Sequence, residues 1–371
     1  MPVHFSTIRS FDEFLRLKEP WNELVGDSEV DHACMRHEWF HCWIKWLGRN
    51  SQTTIIAGWD GSQLIALAPL QTTRQRTGGI PVRVLSFLMS HITPRCNFII
   101  HPAAAPTALF DEVFKQPGWD VMSLRSMLSE QKTTADFISY LEATRKGRFE
   151  IEQGKQSPFV VVEGDWDCYL AGLSKKHRKN INQGLNRIKK LPSYSFEKYH
   201  DYGCLEKLIP EILRISDRSW KGKMKTSISA VPNMAEFYKE FCFLGAPDNL
   251  WELRLLKSAD QYIAFNFFLK HGDKLTGIRT DYDEEYRYYG PGQMMILFTL
   301  MELFESGRRW DFDMGGMAAD FKLDWTDKTR DHIDILATSP GMRGDLLLFG
   351  KRKILPILKR LKRRRPQDLD A

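Results

Sequence analysis

Apolar and polar positions change rhythm along the chain, and each change marks an element. VHFSTIRSFDEF opens as a short strand and passes into helical spacing over about 11–26. A second, aromatic-rich helix is predicted over 36–48 (RHEWFHCWIKWLG). TTIIAGWDGSQLIALAPLQTTRQR then gives two apolar runs joined by Asp60-Gly61, the signature of a hairpin. VRVLSFL, NFIIH and WDVMSLRSM read as further strands, ADFISYLEATRKG as a helix ending at Gly147, and FVVVEG as a strand. After residue 165 a comparable series begins. Ser174 is placed to cap a basic helix, KKHRKNINQGLNRIKK. SYSFEKYH (strand), LEKLIPEILRISDRSW (helix), WELRLLKS and the hairpin YIAFNFFLKHGDKLTGIRT follow. A helix from Pro291 to about Ser306 and the strands WDFDMG and HIDILATS close the series.

Each half reads as strand, helix, helix, hairpin, more strand, helix, strand. This order predicts a duplicated α+β unit, a mixed sheet flanked by helices in each copy, without a residue-level repeat. The expected modules are 1–165 and 166–345, followed by a basic amphipathic tail, 346–371. A length of 371 residues suits two domains, and 43% hydrophobic with 27% charged residues suits a soluble globular protein. No stretch reaches the ~18 apolar residues of a membrane span. MPVHFSTIRSFDEF lacks the pattern of a secretory leader, so a cytoplasmic location is expected. Six scattered cysteines without a CxxC pair read as reduced thiols. The net charge of +6 is uneven: 351–365 carries nine Lys or Arg and no acid, which leaves residues 1–350 nearly neutral.

The stretch around Gly290-Pro291-Gly292 carries the most chemistry. Proline suits a first helical position, Gly307 suits the end, and Met294 to Phe304 are apolar nearly all round, which predicts a buried helix. Gly290 and Gly292 let a ligand approach the backbone, and the helix mouth with its free N–H groups favours an anion. Arg287 adds a planar donor fork, and Gln293 belongs to the same group. Arg287-x-x-Gly290-x-Gly292, after a strand and before a buried helix, resembles the GNAT acyltransferase superfamily, where this spacing holds the pyrophosphate of acyl-CoA.

A closer resemblance, to the CelD/BcsL-type double-GNAT acetyltransferases related to the Fem aminoacyl-transferases, rests on four segments. They are HEWFHCWIKWLG, LSKKHRKNINQGLNRIKK, YDEEYRYYGPGQMMILFTLMEL and WDFDMGGMAADFKLDW. The last is similar to a D-F-x-x-G…[YF]-K…W signature, with Phe321 where tyrosine is usual. The resemblance implies two tandem GNAT-like modules around a shared cleft, with the acyl-CoA (acetyl-CoA) site in the C-terminal one. The N-terminal module has no comparable glycine run, so it is expected to shape the acceptor side. The implied reaction is acyl transfer to an amine or hydroxyl of an amino-sugar or envelope-polysaccharide precursor, free or lipid-linked. It would proceed by direct attack, with no metal. Fem-like transfer from a charged tRNA and a non-catalytic scaffold are the rivals.

Acyl transfer needs a neutral nucleophile, a stabilised oxyanion and a protonated leaving group. In GNAT enzymes a backbone N–H before the donor turn serves the oxyanion, which points to Ile278, Arg279 and Thr280. Asp311 and Asp313 alternate with apolar residues and so share one face of a strand. Asp313, beside Gly315-Gly316, is the first candidate base, or else a solvated or capping carboxylate. Lys322 is placed to pair with it or with a phosphate. Tyr289, with Tyr286 and Tyr288, is a candidate acid or part of a packed cluster. Lys175 and Arg178 on the basic helix face an anionic acceptor or solvent, and Asp281 and Asp311 are further acceptor contacts.

His37-Glu38-x-x-His41 matches the zinc-protease signature, but no third ligand follows, and no metal is expected. No GxSxG elbow is present. The tail alternates apolar and basic clusters, so 346–365 is expected to touch an anionic membrane surface. With no aromatic beyond Phe349 to stack on bases, no specific nucleic acid is expected.

Overall fold

The computed structural model describes residues 3–49, 51–77 and 80–339. The tail 346–371 and the Gly78-Gly79 turn lie outside the described residues. The architecture is α+β, as expected. The first half supplies strands β1 (His4–Ile8), β2 (Gln52–Asp60), β3 (Gln63–Thr77), β4 (Ile80–Phe87), β5 (Ile99–Ile100), β6 (Val121–Leu128) and β7 (Phe149–Val162). The second supplies β8 (Tyr194–Tyr199), β9 (Trp251–Ser258), β10 (Gln261–His271), β11 (Lys274–Tyr282), β12 (Trp310–Asp313) and β13 (Thr329–Thr338).

All belong to one sheet, in the order β1-β2-β3-β4-β6-β13-β7-β12-β11-β10-β9-β8, with β5 beside β3. Two pairs are parallel, β4 with β6 and β11 with β12, and the rest are antiparallel. Each half therefore repeats one plan: four antiparallel strands, a parallel fifth, then a sixth. The sixth strands are exchanged. β13, late in the chain, lies between β6 and β7. The end of β7 pairs β12, with Val162 opposite Trp310 and Phe159 opposite Asp313. The division expected at 165/166 thus follows chain order, whereas three strand pairings cross it: β6 with β13, β13 with β7, and β7 with β12.

Local chemistry explains most of the helices. Ser174 caps Lys175–Ile188 by accepting from His177 N–H. Pro291–Glu305 begins on proline and ends before Gly307, which has φ +62°. Most of its residues are buried, and a buried Leu, Ile or Met contributes roughly 1.5–3 kcal/mol. The expected helix over 11–26 is two, Phe11–Leu15 and Lys18–Asp27. Two long helices were not anticipated, Pro106–Lys115 and Met234–Gly245, nor were the short Trp166–Gly172 and Asp320–Leu323. The first occupies, between β4 and β6, the place that Pro291–Glu305 holds between β11 and β12. It starts at Ala105 in extended conformation, with no left-handed glycine and no arginine turn before it.

The HExxH segment is packing. His37 lies on the Phe14 ring at 4.0 Å and its Nε2 meets Phe14 O at 2.9 Å. Glu38 accepts from Asn22, and His41 meets Glu240 of the second half. Among the described residues no group of His, Cys, Asp and Glu is arranged to hold a metal, and no helix is long and apolar enough to cross a membrane.

Candidate active site

The site begins where two parallel strands part. β11 and β12 pair only over Lys274–Thr276 and Asp311–Asp313. Beyond that, β11 continues along β10 with a bulge: Gly277 opposes Phe268, Arg279 opposes Phe267, and Ile278 is the extra residue. A bulge bends a strand and leaves the extra residue outside the ladder. β12 meanwhile ends, and the chain turns away through Gly315 and Gly316, both at φ +64°. At the apex, a side chain on Gly315 would place Cβ 1.7 Å from Gly277 O. The backbones are in contact there, and only glycine fits.

The fork opens into a cleft of about 560 Å³. Tyr282 and Gly292 line it from the face of the Pro291–Glu305 helix, and Arg279 and Lys221 from the opposite face. Since successive strand residues point to opposite faces, the cleft passes through the sheet. At its helix end, Gly290 sits at φ +65° and turns the chain from the Glu284–Tyr289 turn into the helix. Gln293 and Met294 N–H both point to Gly290 O, and Gly290 N–H points to Arg287 O. Pro291 has no N–H, which leaves the Gly292 N–H without a partner among the described residues. Arg287 is 77% exposed beside it, with Glu284 no nearer than 3.8 Å. The Gly292 amide, the helix N-terminus and the exposed, loosely paired Arg287 guanidinium lie at one end of the cleft, a combination suited to an anion.

The structure brings Ile278, Arg279, Thr280, Arg287, Gly290, Gly292, Gln293 and Lys322 onto this one cleft. Some serve through the main chain. The Arg279 guanidinium is spent on Asp281, Ser216 and Thr226 O, and the Gln293 amide bridges Trp325 Nε1 and Phe321 O. Lys322 donates to Met314 O at 3.1 Å and to Gly315 O, at the fork apex. Burial, with Lys155 and Lys221 nearby and against the pull of Asp313, brings its pKa down to about 8.

Other expected residues take different roles. Asp313 is not a free base: it is buried, pairs with Arg95, lies 3.6 Å from Arg330, and accepts from Gly315 N–H and Ser157. Burial raises its pKa, but Arg95 and Arg330 outweigh that and hold it below the ordinary value. The cause is the exchanged sheet, which covers the Asp311/Asp313 face with the first half. Asp311 pairs with Arg330 and lines a separate cavity of about 280 Å³. Asp281 is buried between Lys221, Arg279 and Ser216, so it meets no acceptor directly. Tyr289 packs against Tyr286 and Tyr288 and is not on the cleft wall. Arg178 is tied to Ala171 O and Leu173 O, closing the preceding helix, and Lys175 is exposed on the basic helix, away from the cleft lining.

The sequence reading missed Trp220, Lys221 and Asn266 on the cleft wall. Asn266 had a signal, a polar residue inside the apolar run YIAFNFFL. It is 3% exposed and its Oδ1 has no partner. Lys221 had none, since nothing in WKGKMK points to Asp281, sixty positions on.

With this geometry in place, known families can be compared. The family model described as Acetyltransferase (GNAT) domain matches residues 175–323. That span holds the bulge, the fork, the arginine turn and Lys322. Residues 175–323 are therefore similar to a GNAT acetyltransferase domain. Among solved structures the chain resembles FemX, with TM-score 0.57 and 12% identity over 89% of this chain and 96% of that one. It also resembles the C-terminal domain of a putative lysylphosphatidylglycerol synthetase from Agrobacterium fabrum, with TM-score 0.55, 12% identity and coverage of 91% and 96%. L-PGS from Bacillus licheniformis is similar at TM-score 0.50, 12% identity and coverage of 94% and 98%. At such identities the likeness is one of fold, and it extends across both halves. No curated protein matches the sequence. The match to this domain model, set in this fold, supports a GNAT-type N-acyltransferase.

Proposed function

We propose that the protein moves an acyl group, acetyl in the simplest case, from acyl-CoA to an amine or hydroxyl of an amino-sugar or envelope-polysaccharide precursor. The observation that carries this reading is the exposed Arg287 and the Gly292 amide at the mouth of the Pro291 helix, opening onto a cleft that threads the sheet and is lined by Lys322. The donor's diphosphate lies at the helix mouth, and its thioester arm follows the splayed edge of β11. Main-chain groups of Ile278–Thr280 stand beside the carbonyl, and the Asn266 amide is on the same wall.

The acceptor nitrogen or oxygen attacks the thioester carbon, the carbon–sulfur bond breaks, and CoA leaves as the thiolate, to which the proton taken up from the acceptor then passes. Neutral Lys322 takes the acceptor's proton, the role first considered for Asp313. No covalent enzyme intermediate is required. The basic segment 346–365, outside the described residues, is proposed to hold the protein at an anionic membrane where a lipid-linked acceptor would be met.

Calorimetric titration with acetyl-CoA tests the donor. Micromolar binding is expected, weakened about 10- to 100-fold in Arg287→Ala, the scale of one lost charge-assisted contact. Binding of a charged tRNA in place of acetyl-CoA would assign a Fem-like donor instead.

A further inference from the structure

A second hollow, of about 700 Å³, lies on the open face of the first half's sheet. Its walls come from alternate residues of adjacent strands: Thr73 on β3, Val84 on β4, Ser123 on β6 and Leu336 on β13. Alternation is what places them on one side of a sheet. The lining mixes hydroxyl and amide groups with small aliphatic ones, and its single aromatic-type ring is the imidazole of His91.

One cation in this hollow stands apart. Lys155, on β7, makes no hydrogen bond or ion pair through its ammonium among the described residues. Asp313 and Asp334 are near enough to be felt, but both are engaged: Asp313 by Arg95, and Asp334 by the Ser126 N–H at 2.9 Å. Burial lowers the Lys155 pKa, against the pull of Asp313. Ser90 Oγ, also on the wall, is buried without a partner. A half-buried ammonium without an ion pair and a buried hydroxyl without a partner mark a place for a polar ligand.

The hollow adjoins the donor cleft through β7 and β12. Ser157, two residues along β7 from Lys155, donates to Asp313 at 3.3 Å, and just beyond Asp313 the Met314 and Gly315 carbonyls accept from Lys322; on the other side, His91 on the hollow's wall follows Ser90 in the same loop. A molecule lying on the sheet with its charge at Lys155 therefore has one end near Lys322.

We propose that this hollow is the acceptor site, and that it takes a sugar carrying a negative charge, held through Lys155. The proposal rests on the acyltransfer reading above. The aliphatic strips formed by Val82, Val84, Val121 and Leu336 suit the C–H face of a sugar ring, and the flanking hydroxyls and amides suit its rim. The hollow offers no Phe, Tyr or Trp for a base to stack on, which favours a sugar over a nucleobase.

Glucosamine-6-phosphate, glucuronate and uncharged N-acetylglucosamine serve as probes, titrated into the full chain with and without acetyl-CoA. At least one charged probe should bind about tenfold or more tighter than the uncharged sugar, the scale of one charge-assisted hydrogen bond. Which one binds tells phosphate from carboxylate. Lys155→Met should erase the preference, Lys155→Arg should keep most of it, and acetyl-CoA affinity should be unchanged in both, which also shows that the variants fold. Equal affinity for charged and uncharged probes, no binding of any, or a preference surviving in Lys155→Met would overturn the assignment. Loss of acetyl-CoA binding in the parent chain would instead remove the donor reading, so the two failures are separable.

Discussion

A lysine ammonium taken out of water beside other cations gives up its proton more readily, and Lys322 is in that position. Its pKa of about 8 leaves a useful fraction neutral near physiological pH, as a proton acceptor requires. Because the folded value is below the unfolded one, the fold disfavours this charge. The destabilisation is complete below about pH 8 and relieved as pH rises toward the ordinary lysine value of 10.5. Asp313 behaves oppositely. Its folded pKa is depressed, so it supports the fold above the carboxylate range and loses that support in acid. We expect kcat to rise with pH to a plateau above about 8 in the parent enzyme. Lys322→Met should lower kcat by about 10²–10⁴-fold. Lys322→Arg, which stays charged, should be slow and lack this limb. Using the same acceptor throughout, in an assay of CoA thiol release, cancels the acceptor's own ionisation. A limb at the same pH in Lys322→Met would assign it to another group.

The fork between β11 and β12 depends on the contact between Gly277 and Gly315. Gly315→Ala brings its methyl against Gly277 O, so the apex must spread. Acetyl-CoA affinity should then fall by about tenfold or more, equivalent to ~1.4 kcal/mol. Gly307→Ala is the control. Its φ is also positive, +62°, but nothing lies within 4 Å of the new methyl. It should cost about 1–2 kcal/mol of stability, read by urea unfolding, and leave donor affinity intact. Equal donor affinity in Gly315→Ala and the parent would remove the apex from the binding argument. The Gly-Pro-Gly start of the adjacent helix was legible, because proline and glycine restrict the backbone by themselves. The fork was not, since parallel pairing over three residues leaves no periodicity to read. Helix Met234–Gly245 was hidden for a related reason: FYKEFCFLG is apolar on more than one side and lacks a side-chain cap.

The exchange of sixth strands makes the two halves depend on each other. Removing β13 would expose the edges of both β6 and β7, and unpaired edges in a sheet interior are costly. Further ties cross the junction: Arg95 with Asp313, His271 and Lys274 with Asp31, and Glu240 with His41 and Lys45. Scanning calorimetry should therefore show one cooperative unfolding transition. Residues 1–165 expressed separately should lack the sharp transition of the whole chain. Two transitions, one reproduced by that fragment, would show that the halves stand independently.

Local chemistry in the sequence determined the α+β class, the repeated order of elements, and the Gly-Pro-Gly turn that opens the Pro291 helix. Each depends on neighbouring residues: strand alternation, helical spacing, and the backbone limits of glycine and proline. The tertiary structure alone decided which carboxylates are free and which cavity each cation faces. It buried Asp313 against Arg95, more than two hundred positions away, and set Lys155 on the wall of a hollow built by strands from both halves. Charge pairing and burial depend on distance in space, and the strand exchange that sets those distances leaves no mark on any stretch of neighbouring residues.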